Sequence, residues 1–225
     1  MTDWPKVAVL LITYARTHEA IRTILGVKQR LHYPGALQWI VADDGSDREH
    51  LHALYQAIGE EVPTWQGQRQ GVGVSMNHGQ ALAWKSADYI LWLEDDWELE
   101  QPFDLSPCIQ LLQEQADLGM VRLGYISPGV WGQLISGAGR LWWKLSKGPT
   151  YTFTGHASLR ARRFFDAYGP YAEDLAPGET ELYMCGTFNN RPGPDVVIPA
   201  FTGEWGPFAH IGGRSLKDIR PGVLV

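Results

Sequence analysis

The stretch Tyr89-Ile90-Leu91-Trp92-Leu93-Glu94-Asp95-Asp96-Trp97 runs an apolar segment straight into three consecutive carboxylates. An apolar run bounded by charge is the pattern of a parallel-sheet strand covered on both faces. In open α/β sheets, ligands bind just beyond the carboxyl ends of the strands. Three acids crowded there repel one another unless a cation neutralises them. Mg²⁺ or Mn²⁺ takes carboxylate oxygens and brings diphosphate oxygens with it. Asp96, supported by Asp95 and Glu94, is therefore a candidate metal and diphosphate station. The plainer reading is a solvated turn that caps the next element.

The chain upstream repeats one theme. Lys6 to Thr13 reads as a central strand, Thr17 to Arg30 as an amphipathic helix, and Leu37 to Ala42 as a second strand. Ser46 with Glu49 fits a capping box that opens a helix through about Ile58. Val62 to Gln66 reads as a short strand and Val74 to Ala87 as a helix. Strand–helix alternation repeated three times in the first hundred residues predicts a right-handed parallel α/β sheet.

Downstream the texture changes. The pattern predicts a helix over Leu105–Ala116, a strand over Met120–Ile126, and a Gly- and Trp-rich functional loop or lid over Ser127–Pro149. Tyr151–Thr154 is β-like, Ala157–Tyr168 reads as a helix with a basic face, and Pro177–Cys185 reads as another helix. Two short strands are expected around Phe201 and Phe208. No repeat or linker interrupts the chain. The expectation is a single domain over residues 1–225, with a nucleotide-type half (1–100) and an acceptor-type half (101–225).

Composition narrows the function classes. With 225 residues and 44% hydrophobic content, there is material for one sizeable core. The net charge of −6 gives no general electrostatic case for nucleic acid. Local basic clusters remain at Arg160, Arg162 and Arg163 (read as a solvated face, with contact to an anionic acceptor as the alternative) and at Arg214, Lys217 and Arg220. Ten tryptophans are many, and Trp65, Trp97, Trp131 and Trp205 stand in surroundings where a ring can serve as a stacking platform. Cys108 and Cys185 lack metal-ligand spacing and read as free thiols of a reducing compartment. No apolar run approaches the ~20 residues of a bilayer span. With no signal-peptide pattern at Asp3 and Pro5, a cytoplasmic location is expected.

Three successive strands end in polar groups: Thr13-Tyr14-Ala15-Arg16, Asp43-Asp44-Gly45-Ser46, and Glu94-Asp95-Asp96. One acid in a loop is usually a helix cap, but three strand ends on one sheet edge are better explained by a site. These pieces, with Gly73-Val74-Ser75-Met76-Asn77-His78-Gly79 between them, stand in the order found in the inverting family 2 of the GT-A glycosyltransferases. The sequence resembles that family well over residues 6–100 and more loosely over 150–215. Gly71-Val72-Gly73 is no dinucleotide fingerprint, because Met76 takes the place of the third glycine and no strand closely precedes it.

The resemblance implies a GT-A fold: a Rossmann-like, mostly parallel sheet flanked by helices, with a loop-rich acceptor side. It implies that Asp44 accepts the ring N–H of the base, favouring uridine or thymidine, with Thr13 and Tyr14 lining the pocket. Arg16 would lie near the base or phosphates, and Arg69 would be a base or phosphate contact. Asn77 would fix a helix start. Asp96 would bind Mn²⁺ or Mg²⁺, Asp95 would hold the ribose or support the metal ligands from behind, and Glu94 stands where the family often has the first Asp of its Asp-x-Asp motif. An inverting transfer needs one base to deprotonate the acceptor hydroxyl. At that place stands Gly178-Glu179-Thr180-Glu181-Leu182, making Glu179 the base and Glu181 the second acid, with Asp174 as fallback. An acid-rich first helical turn is the structural alternative. His210 resembles a late His that completes the metal or diphosphate site. Arg214 could meet phosphate, and His156 would begin the helix that faces sugar or acceptor.

The expectation is thus hexose transfer from a UDP-sugar (less readily a dTDP-sugar) to a hydroxyl acceptor. The acceptor is open among glycan, protein, small molecule and hydroxylated DNA base, the last disfavoured by the net charge. A nucleotidyltransferase is the rival enzyme, but Thr13 to His18 lacks the Gly-rich, basic loop it usually needs. A non-catalytic sugar- or nucleotide-sugar-binding module is the rival of another class.

Overall fold

The computed structural model describes residues 3–124, 132–148, 152–200 and 206–212. Phe201, Arg214, Lys217, Arg220, Trp131 and Trp205 lie outside the described residues. In chain order the elements are β1 (Val7–Thr13), α1 (Thr17–Arg30), β2 (Leu31–His32), β3 (Leu37–Asp43), α2 (Arg48–Ile58), β4 (Thr64–Gln66) and α3 (Val72–Ala83). They continue with β5 (Tyr89–Glu94), β6 (Trp97–Leu99), β7 (Phe103–Asp104), α4 (Ser106–Glu114), β8 (Leu118–Arg122), β9 (Gly132–Gly137) and β10 (Arg140–Leu145). The last are β11 (Ser158–Ala161), α5 (Arg162–Tyr168), α6 (Pro177–Asn190), β12 (Asp195–Pro199) and β13 (Phe208–His210).

Nine strands form one sheet in the order β4-β3-β1-β5-β11-β8-β12-β10-β9. β4, β3, β1 and β5 are parallel, as the alternating pattern predicts. Beyond β5 the pairings are mixed: β11 runs antiparallel to both neighbours, β12 is parallel to β8, and β10 and β9 are antiparallel. Register brings the strand tips level. Thr13 pairs with Asp43, and Ile12 with Glu94.

The period of two along each strand divides the core into two layers. Val7, Val9, Leu11, Val41, Leu91 and Leu93 pack on one side with residues of α1, α2 and α4. Ala8, Leu10, Ile12, Ile40, Ala42, Ile90 and Trp92 pack on the other with residues of α3, α5 and α6. Because both faces are covered, truncating Leu10 or Leu91 to Ala would cost about 2–5 kcal/mol.

The helix over Thr17–Arg30 and the strand start at Tyr89 fall where the sequence pattern places them. Other expectations are corrected. Asp47, not Ser46, caps α2, its carboxylate accepting the His50 N–H at 2.7 Å. Ser46 is held instead by the Asp43 carboxylate and accepts the Ala15 N–H at 2.9 Å. α3 starts two residues earlier and ends sooner than the apolar spacing predicts, and α6 runs on to Asn190. α4 and β8 are shorter than expected, and Thr152–Thr154 is not a strand. The first of the two late strands is Asp195–Pro199.

Two corrections bear on the site. Within the segment expected to be a loop, residues 132–145 form a β-hairpin that extends the sheet. Its turn places Ala138 and Gly139 at φ 49° and 69°. The expected helix from Ala157 is a strand, β11, followed by the short α5, so Gly155-His156 begins no helix. Arg160 therefore points into the core and is 3% exposed. Arg163 donates to the carbonyls of Leu118 and Leu112. Neither belongs to a solvated basic face. Cys108 and Cys185 are free and buried. Among the described residues no helix is long and apolar enough to cross a membrane.

Candidate active site at the strand tips

The site begins where β1, β3 and β5 end. Thr13 Oγ1 donates to Asp95 Oδ2 at 3.0 Å, and the Tyr14 N–H donates to the same oxygen at 3.1 Å. Behind Thr13 stands His50, a residue the sequence reading missed, with Nε2 3.0 Å from Thr13 Oγ1 and Nδ1 2.8 Å from Thr17 Oγ1. Its signal was faint: helical spacing places it on the inner face of α2 with Leu54 and Ile58. Since Thr13 gives its proton to Asp95, it accepts from His50 Nε2–H, and in the neutral imidazole Nδ1 then accepts from Thr17 Oγ1. Burial lowers the His50 pKa, despite opposition from Asp43 and Asp47.

Asp44 stands at the other end. Its N–H donates to the Thr13 carbonyl, and its carboxylate accepts the N–H groups of Gln70 (3.0 Å) and Gly71 (3.1 Å to Oδ2). The loop so gathered brings Arg69, at φ 59°, over the exposed ring of Tyr14 with Cζ 5.3 Å from its centroid. Asp43, quoted among the strand-tip acids but given no role of its own from sequence, is fully buried and shapes this turn by accepting from the N–H groups of Gly45 and Ser46. Asp44, Tyr14 and Arg69 thus form one corner, as the sequence reading groups them.

Asp95 and Asp96 are nearly buried. Burial pushes the Asp95 carboxyl up to about 6, with the Tyr14 N–H pulling the other way. For Asp96, burial is outweighed by the His210 hydrogen bond and charge and by Arg16, so its pKa is lowered. His210 Nε2 lies 3.2 Å from Asp96 Oδ2, and the Arg16 guanidinium meets the same oxygen. β13 delivers His210 by pairing with β6, and the Ile211 N–H closes on the Asp96 carbonyl at 2.8 Å. Arg16 is 54% exposed along its side chain, an exposed cation resting on a sheltered carboxylate.

A divalent ion suits this corner. Asp96 Oδ1 is buried without a hydrogen-bond partner. A methyl group on Gly212 would overlap Asp96 Oδ2, so only glycine leaves that oxygen room. Among the described residues no three His, Cys, Asp or Glu side chains are grouped to hold a metal by themselves. Asp96 and His210 give two donors, the number suited to an ion completed by diphosphate and water oxygens.

Glu94 packs beside Gly155, where an added methyl group would overlap its Oε1. Burial drives its pKa well up, reinforced by Asp96, Glu181 and Asp95 and opposed by Arg160. Glu181 accepts the Gly155 N–H at 2.8 Å; burial lowers the Arg122 pKa to about 10, with Glu181 pulling the other way. Glu179 is exposed in the first turn of α6, with Oε2 accepting the Ala176 N–H at 3.2 Å. Asp174 is exposed between α5 and α6. Trp97 is buried against His156 and His210 (centroids 4.5 and 5.2 Å), and Trp65 stacks on His78 at 4.7 Å, so neither ring is an open platform. Asn77 does not fix a helix start; it ties α3 to the backbone of Tyr171.

A sheet covered by helices on both faces, its parallel half gathering acids, a threonine and an arginine at the strand tips, has the architecture in which ligands bind at the carboxyl edge. Residues 8–169 match glycosyl transferase family 2, and the chain belongs to that family. Similar solved structures agree on the fold. S. aureus TarS has a TM-score of 0.65 at 15% identity, covering 95% of this chain and 38% of TarS. The mannosyltransferase PcManGT from Pyrobaculum calidifontis, in complex with GDP-Man and Mn²⁺, has 0.58 at 14%, covering 90% of this chain and 59% of that one. GalNAc-T7 with UDP, GalNAc and Mn²⁺ has 0.64 at 14%, covering 94% and 45%. This chain spans less than two thirds of each. No curated protein matches it by sequence.

Proposed function

We propose that this glycosyltransferase moves a hexose from a UDP-sugar to a hydroxyl acceptor with inversion, in one metal-dependent step. The observation that carries the reading is the convergence of two acid stations on one sheet edge: Asp44 with Tyr14 and Arg69, and Asp96 with His210 and Arg16. The base would lie against Tyr14 and Arg69, reading its ring N–H through the remaining acceptor capacity of Asp44. The ribose would meet Asp95, and Arg16 would move from Asp96 to the phosphates. Asp96 and His210 would hold Mn²⁺ or Mg²⁺, which when bound supplies positive charge to the departing diphosphate. Support for a nucleotide and Mn²⁺ comes from the ligands named with the related mannosyltransferase and GalNAc-T7.

Glu179 is assigned as the general base. An incoming acceptor needs an exposed carboxylate, and Glu179 uses only Oε2 in its cap. Glu181, holding Gly155, is assigned to positioning. Glu94 is assigned to the interior wall behind the metal corner. The proposed protein is one domain acting in the cytoplasm. The test is a screen of UDP-hexoses against hydroxyl acceptors with Mn²⁺, with the product anomer read by NMR. Inverted product is expected, and Glu179→Gln should lower kcat by about 10²–10⁴ while UDP still binds. Retained configuration, or full activity in E179Q, would overturn the mechanism. Donor binding without hydrolysis or transfer would favour a binding module.

A further inference from the structure

Beneath the strand tips, on the sheet face covered by α3, α5 and α6, a small cavity is walled by Gln80, Trp84, Arg160, Phe164, Tyr168 and Tyr171. It measures about 10 Å³ to the centre of a water-sized sphere, room for one such particle. Its wall is rich in donors. Arg160, permanently charged, gives Nε to Ser158 Oγ at 3.0 Å and Nη1 to the Tyr171 hydroxyl. Its guanidinium lies over the Trp92 ring, 4.0 Å from the centroid, and 5.5 Å from that of Phe153. The third nitrogen, Nη2, has no acceptor, and neither has the indole Nε1–H of Trp84. Both are sealed from bulk solvent. Among the described residues, no carboxylate lies within ion-pair distance of Arg160, and Glu94, whose pKa the Arg160 charge lowers, is nonetheless held by burial well above the ordinary carboxylate range.

A buried charge without a close counter-charge is costly, and ring faces, neutral hydroxyls and a carboxyl held toward its neutral form offset only part of that cost. A water molecule would accept hydrogen bonds there but leave the charge uncancelled. Tetrahedral oxyanions are too large for a space of this size. We propose that the cavity is a binding site for a monovalent anion of halide size, held by Arg160 Nη2 and Trp84 Nε1. The anion completes the surroundings of Tyr171, the residue through which Asn77 joins α3 to the approach to α6. The site is separate from the donor corner and does not depend on the identity of the sugar nucleotide.

The test uses the whole chain and bromide as probe. Crystals grown with bromide in place of chloride should show one anomalous peak between Arg160 Nη2 and Trp84 Nε1. In solution, about 200 mM bromide or chloride should raise Tm by a few degrees over gluconate at equal ionic strength. Trp84→Phe keeps the packing ring and removes the N–H, so the protein should fold and lose most of that halide-specific rise. A cavity that is empty or holds water in bromide crystals would overturn the proposal. So would a wild-type Tm that is the same in halide and gluconate.

Discussion

Asn77 pairs with the backbone of Tyr171 through both ends of its side-chain amide. Oδ1 accepts the Tyr171 N–H at 2.9 Å and Nδ2 donates to the Tyr171 carbonyl at 3.0 Å, while Nδ2 also reaches Glu173 Oε1 at 2.9 Å. One turn earlier, Gly73 passes so close to Ala172 that an added methyl group would overlap its carbonyl. The helix α3, whose preceding residues Gln70 and Gly71 are held by Asp44, is thereby sutured to the segment leading into α6.

Replacing Asn77 by Leu keeps the bulk and leaves the Tyr171 backbone groups unpaired. Each such loss costs about 1–3 kcal/mol, so N77L should lower stability by about 2–6 kcal/mol and Tm by at least about 4 °C. Chemical denaturation and calorimetry check this. A change under about 0.5 kcal/mol would mean that the suture carries no weight.

His50 makes a pH-dependent contribution with a definite sign. Its folded pKa lies below the ordinary 6.5 because burial disfavours the imidazolium. Below about pH 6.5 the unfolded chain therefore binds more protons than the folded one, and stability falls as pH falls. That part of stability is fully present above the unfolded pKa and is lost on descending toward the folded value. Denaturation midpoints from pH 8 to 5 should fall more steeply for the wild type than for His50→Gln, which cannot titrate. Parallel curves would contradict the neutral imidazole.

Gly212→Ala tests the room beside Asp96. Because the added methyl would overlap Asp96 Oδ2, the variant should fold, with Tm changed by only a few degrees. Its metal-dependent UDP binding should weaken by about tenfold or more, equivalent to at least 1.4 kcal/mol. Unchanged binding would show that this oxygen plays no part.

The parallel half and its polar tips were legible because each strand is an apolar run broken by acids, and each helix has an apolar face. The rest failed for physical reasons. The 132–145 hairpin turns on Ala138 and Gly139 in left-handed conformations, where an Asn-Gly pair would have announced a tight turn. β11 was masked because Ser158–Ala161 is only four residues long and runs directly into the basic start of α5. Its place between β5 and β8 is a tertiary fact. Arg160 was misplaced with it, since an arginine in sequence looks solvated until a strand turns it inward. Asp44 and Asp96 could be picked out as candidates, but the His50 relay and the Asn77 suture join residues far apart in the chain.

The most direct test of the two-station site is a calorimetric titration of UDP into the wild type and Asp96→Asn, each with Mn²⁺ and with excess chelator. UDP should bind the wild type at least tenfold more tightly with Mn²⁺ than with chelator, and D96N should bind weakly and equally in both. Equal wild-type affinity with and without metal, or full metal dependence in D96N, would contradict the assignment of Asp96 to the metal and diphosphate.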